Sequence, residues 1–132
     1  MAKLSCIFLV DDDYPTNYFH QLIIEETNCT SEVVVCQSGH EALERLAHRE
    51  SQQLAPPDLI FLDINMPGMT GWEFMEQYQR LPKATRGTVL VLLTTSLNPD
   101  EESRAKEWEG IDDFRHKPLS GEMLTDLIDQ HF

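Results

Sequence analysis

Residues 58–73 read DLIFLDINMPGMTGWE. Four consecutive apolar residues, Leu59 to Leu62, stop at Asp63, and Met66-Pro67-Gly68 separates them from Trp72, Met75 and Tyr78. A short apolar run bounded by turn residues suits a strand buried on both faces. The later apolar residues recur three apart, which suits a helix with one core-facing side. Strand, loop and helix in that order open a βαβ unit, the repeat of an α/β protein with a parallel sheet.

The same alternation continues in both directions. Upstream, Cys6 to Val10 reads as a buried strand, and Tyr18, Phe19, Leu22 and Ile23 follow at helical spacing. Glu32 to Cys36 is a valine-rich second strand. Ser38 with Glu41 reads as a capping box, opening a helix whose inner face carries Ala42, Leu43, Leu46 and Ala47. Pro56 and Pro57 close that unit. Downstream, Thr88 to Leu93 is a fourth strand, and Pro99 starts a helix that turns Ala105 and Trp108 inward. Asp113 to His116 is a short fifth strand, and a last helix from Ser120 carries Leu124, Leu127 and Ile128 on one face.

Five strands and five helices, with no linker or repeat, make residues 1–132 a single domain in expectation. A parallel sheet with helices on both faces is the economical arrangement, since each right-handed crossover covers one face. Periodicity leaves the strand order open. In open α/β sheets ligands lie outside the carboxyl ends of the strands, at the switch point.

Composition excludes several classes. With 23 acidic against 10 basic residues the net charge is −13, a field that opposes nucleic acid. No run approaches the roughly 20 apolar residues of a membrane span, so the expectation is a cytoplasmic protein away from membranes. Cys6, Cys29 and Cys36 form no CxxC pair and read as small reduced hydrophobes. His20, His40, His48, His116 and His131 share no motif and read as surface or helix-face residues.

The strand ends carry the chemistry. Strand one ends in Asp11, Asp12 and Asp13, strand three in Asp63, strand four in Thr94, Thr95 and Ser96, and strand five in Lys117. Two carboxylates about 4 Å apart repel by roughly 4 kcal/mol at an effective dielectric of about 20. A hard divalent cation removes that conflict, and magnesium keeps coordination sites open for water or phosphate oxygen. Lys117 is available to pair with Asp63 and to balance an added phosphoryl group, and Thr94 offers it a hydroxyl. Positioning and charge neutralisation are most of what phosphoryl transfer needs.

The segments IFLVDDD, DLIFLDINMPGMTGWE, VLLTTS and HKP, in that order, resemble the receiver domains of bacterial two-component response regulators. The resemblance runs from about Leu4 to the C-terminus. It implies a flavodoxin-like fold, a doubly wound five-stranded sheet in the order 2-1-3-4-5. It also implies that Asp63 is the phosphoacceptor and that Mg2+ (or Mn2+) is held by Asp11, Asp12, Asp63 and the Asn65 backbone carbonyl. Thr94 matches the switch hydroxyl, Lys117 the phosphate-contacting lysine before a proline that is commonly cis, and Phe114 the switch aromatic. Asn65 and Ser96 match positions that tune the phosphate lifetime. The resemblance departs at Asp13, a third acid, and at Thr95, where the family often has alanine.

The implied function is a phosphoacceptor switch rather than an enzyme, loaded by a sensor histidine kinase or a phosphotransfer protein and read by a downstream protein target. Since the sequence ends soon after the last helix, a stand-alone module is expected, with a homodimer through that helix left open. One alternative is a pseudo-receiver that binds partners without phosphorylation. Another is an aspartyl-phosphate hydrolase, against which stands Asn65 where those enzymes place a second acid.

Overall fold

The computed structural model describes residues 3–87 and 89–132. In chain order the elements are β1 (Leu4–Val10), α1 (Tyr14–Thr27), β2 (Thr30–Cys36), α2 (Gly39–Ser51), β3 (Leu59–Leu62), α3 (Gly71–Tyr78), β4 (Val89–Thr94), α4 (Pro99–Ala105), β5 (Asp113–His116) and α5 (Gly121–His131). The strands form one sheet in the order β2-β1-β3-β4-β5, and every neighbouring pair is parallel. This is the flavodoxin-like doubly wound arrangement, with its switch point between β1 and β3.

Alternation along the central strands builds two cores. Phe8, Val10, Ile60, Leu62, Leu90 and Leu92 face one side, where they meet Ala42 and Leu46 of α2, Phe74, Met75 and Tyr78 of α3 and Ala105 of α4. Ile7, Leu9, Leu59, Phe61, Val91 and Leu93 face the other, against Ile24 of α1 and Leu124, Leu127 and Ile128 of α5. With both faces covered, β1, β3 and β4 stay apolar almost throughout and confine their polar residues to the ends.

Register then fixes the rim. Val10 pairs with Leu62 and Leu62 with Leu92, so the chain leaves β1 and β3 side by side. Thr94 pairs with His116, and the Lys117 N–H donates to the Thr94 carbonyl at 2.8 Å.

Several sequence expectations need correction. β1 starts at Leu4 rather than Cys6, because the Leu4 N–H donates to the Cys29 carbonyl at 2.7 Å. β2 likewise begins two residues early, at Thr30. β4 extends through Thr94, and Thr88, expected as its first residue, lies outside the described residues. Ala47 of α2 is exposed, since the buried stripe there is only Gly39, Ala42 and Leu46. Ser38 does accept from the Glu41 N–H at 3.0 Å, but the reciprocal capping box among the described residues is that of Thr70 and Glu73 at α3. α4 ends before Trp108, which packs against the core from the following loop. The three cysteines are free and buried, as expected.

The largest correction concerns α1. Tyr18, Phe19 and Leu22 are 56%, 46% and 45% exposed, while the buried residues are Asn17, His20 and Ile24. His20, read as a surface or helix-face residue, lies on the inner face of α1 and is 2% exposed. The inner face of this helix is polar where it overlies the strand ends, so of the four apolar residues read at helical spacing only Ile23 packs against the core.

Candidate functional site

Asp11, Asp12 and Asp63 converge at the switch point. One carboxylate oxygen from each lies within 4.8 Å of the other two. Asp11 and Asp63 are buried and Asp12 is exposed. The backbone holds the buried pair: the Asp11 N–H donates to the Cys36 carbonyl and the Asp63 N–H to the Val10 carbonyl, each at 3.0 Å. These bonds continue the sheet ladder one residue past the strands.

Lys117 reaches back from the end of β5. Its ammonium is hydrogen-bonded to Asp11 Oδ2 and lies 3.4 Å from Asp63 Oδ1. The expected partner, Asp63, is therefore the looser of two. Three carboxylates face one ammonium, which leaves the cluster with an excess of negative charge. Burial first, and the Asp11 carboxylate second, push Asp63 up to about 6, against the opposing pull of Lys117. An all-oxygen donor set with surplus negative charge, partly open at Asp12, matches what a hard divalent cation requires.

The loop after β3 is shaped by two glycines. Gly68 has φ of +83°, the left-handed region that a side chain resists. At Gly71 an added Cβ would stand 2.8 Å from the Asp63 carbonyl oxygen and 2.9 Å from Ile64 Cα. The Gly71 N–H donates to the Ile64 carbonyl at 2.7 Å, so α3 begins directly against the backbone of Asp63.

The other predicted residues lie around this centre. Thr94 is fully buried at the end of β4, and its hydroxyl oxygen accepts from the Ser96 N–H at 3.1 Å. That bond leaves the Thr94 O–H free to donate. Ser96 accepts in turn from the Asn98 N–H at 3.3 Å. Asn65 is exposed in the β3–α3 loop. Phe114 is half-buried on β5, edge-on to His116 at 5.5 Å. Asp13, the extra acid, is the N-cap of α1 and accepts from the Thr16 N–H at 3.1 Å. The Lys117–Pro118 peptide bond is cis.

Two residues beside the site escaped the sequence reading. Asn17 donates from Nδ2 to the Asp11 backbone carbonyl at 2.7 Å. The Leu119 N–H donates to His20 Nε2 at 3.2 Å. Burial, then the nearby Lys117 ammonium, push His20 down to about 4, so at neutral pH its ring accepts as a neutral base. The one available signal was the spacing Asn17, His20, Ile24, which is itself helical.

The fold and site together are a doubly wound parallel sheet with an acid cluster at its switch point and a lysine just past its last strand. Residues 7–129 match the model of the response regulator receiver domain family, and the chain belongs to that family, the receiver domains of two-component signalling. It is 32% identical over 134 residues to a "Probable cyclic di-GMP phosphodiesterase" of Vibrio cholerae, covering 99% of this chain and 28% of that protein. It is 30% identical over 128 residues to the signal transduction histidine-protein kinase BarA of Escherichia coli, covering 96% of this chain and 13% of the kinase. The chain thus spans under a third of either relative. A two-component response regulator from Cytophaga hutchinsonii superimposes with a TM-score of 0.88 at 29% identity, covering 97% of this chain and 96% of that one. No helix among the described residues is long and apolar enough to cross a membrane.

Proposed function

We propose that Asp63 accepts a phosphoryl group from a phosphohistidine, with Mg2+ (or Mn2+) held by Asp11, Asp12, Asp63 and the Asn65 backbone carbonyl. The observation that carries this reading is the convergence of three carboxylates within 4.8 Å around one lysine bound to two of them.

In this reading an Asp63 carboxylate oxygen attacks phosphorus, the P–N bond breaks, and its electron pair leaves with the imidazole nitrogen of the donor. The cation, when bound, neutralises charge on the transferring phosphoryl oxygens. Lys117 begins shared between Asp11 and Asp63 and follows the new charge, which approaches −1.5 to −2 in phosphorylated side chains. The Thr94 hydroxyl donates to a phosphoryl oxygen, and the half-buried Phe114 ring responds on the neighbouring strand. A charge that rewards only the closed arrangement of Thr94 and Lys117 shifts the population toward it. Asn65 and Ser96, flanking the centre, set how fast water removes the phosphoryl group. The donor is a sensor histidine kinase or a phosphotransfer protein, and the reader is another protein, because a net charge of −13 disfavours nucleic acid.

Intact-mass measurement after incubation with Mg2+ and acetyl phosphate tests the reading. The expected result is one added phosphoryl group on the wild type and none on Asp63→Asn. A wild type that stays unlabelled, even with a phosphorylated kinase as donor, would indicate a pseudo-receiver instead. Sustained release of phosphate from monoesters would indicate a hydrolase.

A further inference from the structure

The inner face of α1 touches both halves of the acid–lysine cluster through backbone. Asn17 and His20 stand one helical turn apart, and each is 2% exposed. Asn17 Nδ2 holds the Asp11 carbonyl at 2.7 Å, where the chain leaves β1. His20 Nε2 holds the Leu119 N–H at 3.2 Å, two residues past Lys117. Asp11 and Lys117 leave strands that are separated in the sheet by β3 and β4. One rigid helix face therefore ties together two chain ends that the sheet keeps apart.

Filling space alone would not call for these residue types. A buried polar group left without a partner costs about 1–3 kcal/mol, and an apolar residue, like Ile24 one turn further along, packs without that risk. Both bonds instead go to main-chain atoms beside functional side chains, which is how supporting residues hold a site to the tolerance that chemistry needs.

We infer that Asn17 and His20 are positioning residues for phosphoryl transfer at Asp63, Asn17 setting the acid end of β1 and His20 setting the turn that aims Lys117. The inference rests on the functional reading above. It also divides the labour. Asn17 acts through Asp11 and so governs cation affinity, whereas His20 acts through Lys117 and so governs the transfer rate once the cation is saturating. A purely structural pair would lower stability without separating the two quantities.

Two measurements on the full chain test this: Mn2+ affinity from the EPR signal of the free ion, and the rate of labelling by acetyl phosphate at saturating Mg2+ from intact mass. Asn17→Leu is expected to weaken Mn2+ binding by about 10–100-fold, with labelling at saturating Mg2+ kept within about threefold. His20→Leu is expected to keep wild-type Mn2+ affinity and to slow labelling by about 10–100-fold. His20→Gln, whose side-chain oxygen extends about as far as Nε2, recovers most of that rate. If His20→Leu fails to fold, His20→Asn, whose acceptor stops short of the Leu119 N–H, carries the same expected loss. Labelling of the non-accepting His20 variant at the wild-type rate, or affinity and rate moving together in both variants, overturns the inference while the functional reading stands. An unlabelled wild type overturns both.

Discussion

Asp63 is held at the centre of a charge conflict that its own fold creates. Burial and the neighbouring Asp11 push it up to about 6 from an ordinary value of 3.8. In the metal-free protein the folded chain therefore binds a proton between those values that the unfolded chain releases. The sign follows: stability linked to this group is fully present below about 3.8 and is lost as pH rises through about 6. At pH 7.5 the ionised, buried carboxylate is a burden of about 3 kcal/mol, the order expected for a shift of roughly two pKa units. Asp63→Asn removes that burden and keeps the Lys117–Asp11 pair. Without metal, the variant should unfold at higher denaturant than the wild type at pH 7.5, with the gap closing as pH falls below 5. A gap that is absent at pH 7.5, or constant with pH, would mean that Asp63 carries no such strain. The acids, the hydroxyl and the lysine were legible in the sequence because strand ends expose them as isolated polar residues after apolar runs. The closer attachment of Lys117 to Asp11 was not legible, since it depends on which of two adjacent carboxylates a long side chain reaches.

At the scale of elements, β3 and the start of α3 form the most constrained passage. Leu59 to Leu62 are all buried, and four apolar residues bounded by Asp58 and Asp63 allowed little choice of boundary. α5 was equally readable, through Leu124, Leu127 and Ile128, which are all buried, whereas β5 was poorly marked, because Phe114 is its one apolar residue and no residue of the strand is fully buried. α1 was not readable in this way, because its outer face carries Tyr14, Tyr18, Phe19 and Leu22 while its inner face carries Asn17 and His20. Hydrophobic periodicity assumes that the buried side is the apolar side, and a helix that overlies a polar site breaks the assumption. The β3–α3 junction yields a second prediction. Gly71→Ala places a methyl 2.8 Å from the Asp63 carbonyl oxygen and 2.9 Å from Ile64 Cα. Both contacts are backbone, so neither atom gives way as a flexible side chain would. The variant should lose about 1–3 kcal/mol in denaturant unfolding, and labelling of Asp63 by acetyl phosphate should slow because the acceptor's own peptide is displaced. An unchanged unfolding midpoint would show that the loop absorbs the methyl, and the slower labelling should then be absent too.

Over the whole molecule, local and global electrostatics act on one quantity with opposite signs. The chain carries −13, and three of its acids are gathered within 4.8 Å at one end of the sheet. Self-repulsion of that size weakens the compact state, and salt relieves it, since the Debye length falls from about 10 Å at 0.1 M to about 3 Å at 1 M. The same field draws a divalent cation to the rim, and salt weakens that attraction. A ligand bound only by the folded state adds about 2.7 kcal/mol at 100 times its dissociation constant, so the affinity appears directly as a rise in the unfolding midpoint. Raising NaCl from about 0.05 to 0.5 M should therefore raise the midpoint of the metal-free chain and shrink the further rise produced by a fixed Mg2+ concentration. Asp11→Asn should abolish most of the Mg2+ response while leaving the salt response nearly whole, because it removes a ligand but only one of 23 acids. Thermal melts across the four combinations of salt and Mg2+ measure both effects together. If salt raised the metal-free midpoint and the Mg2+ increment in parallel, the cation would not be held by the field of this acid cluster.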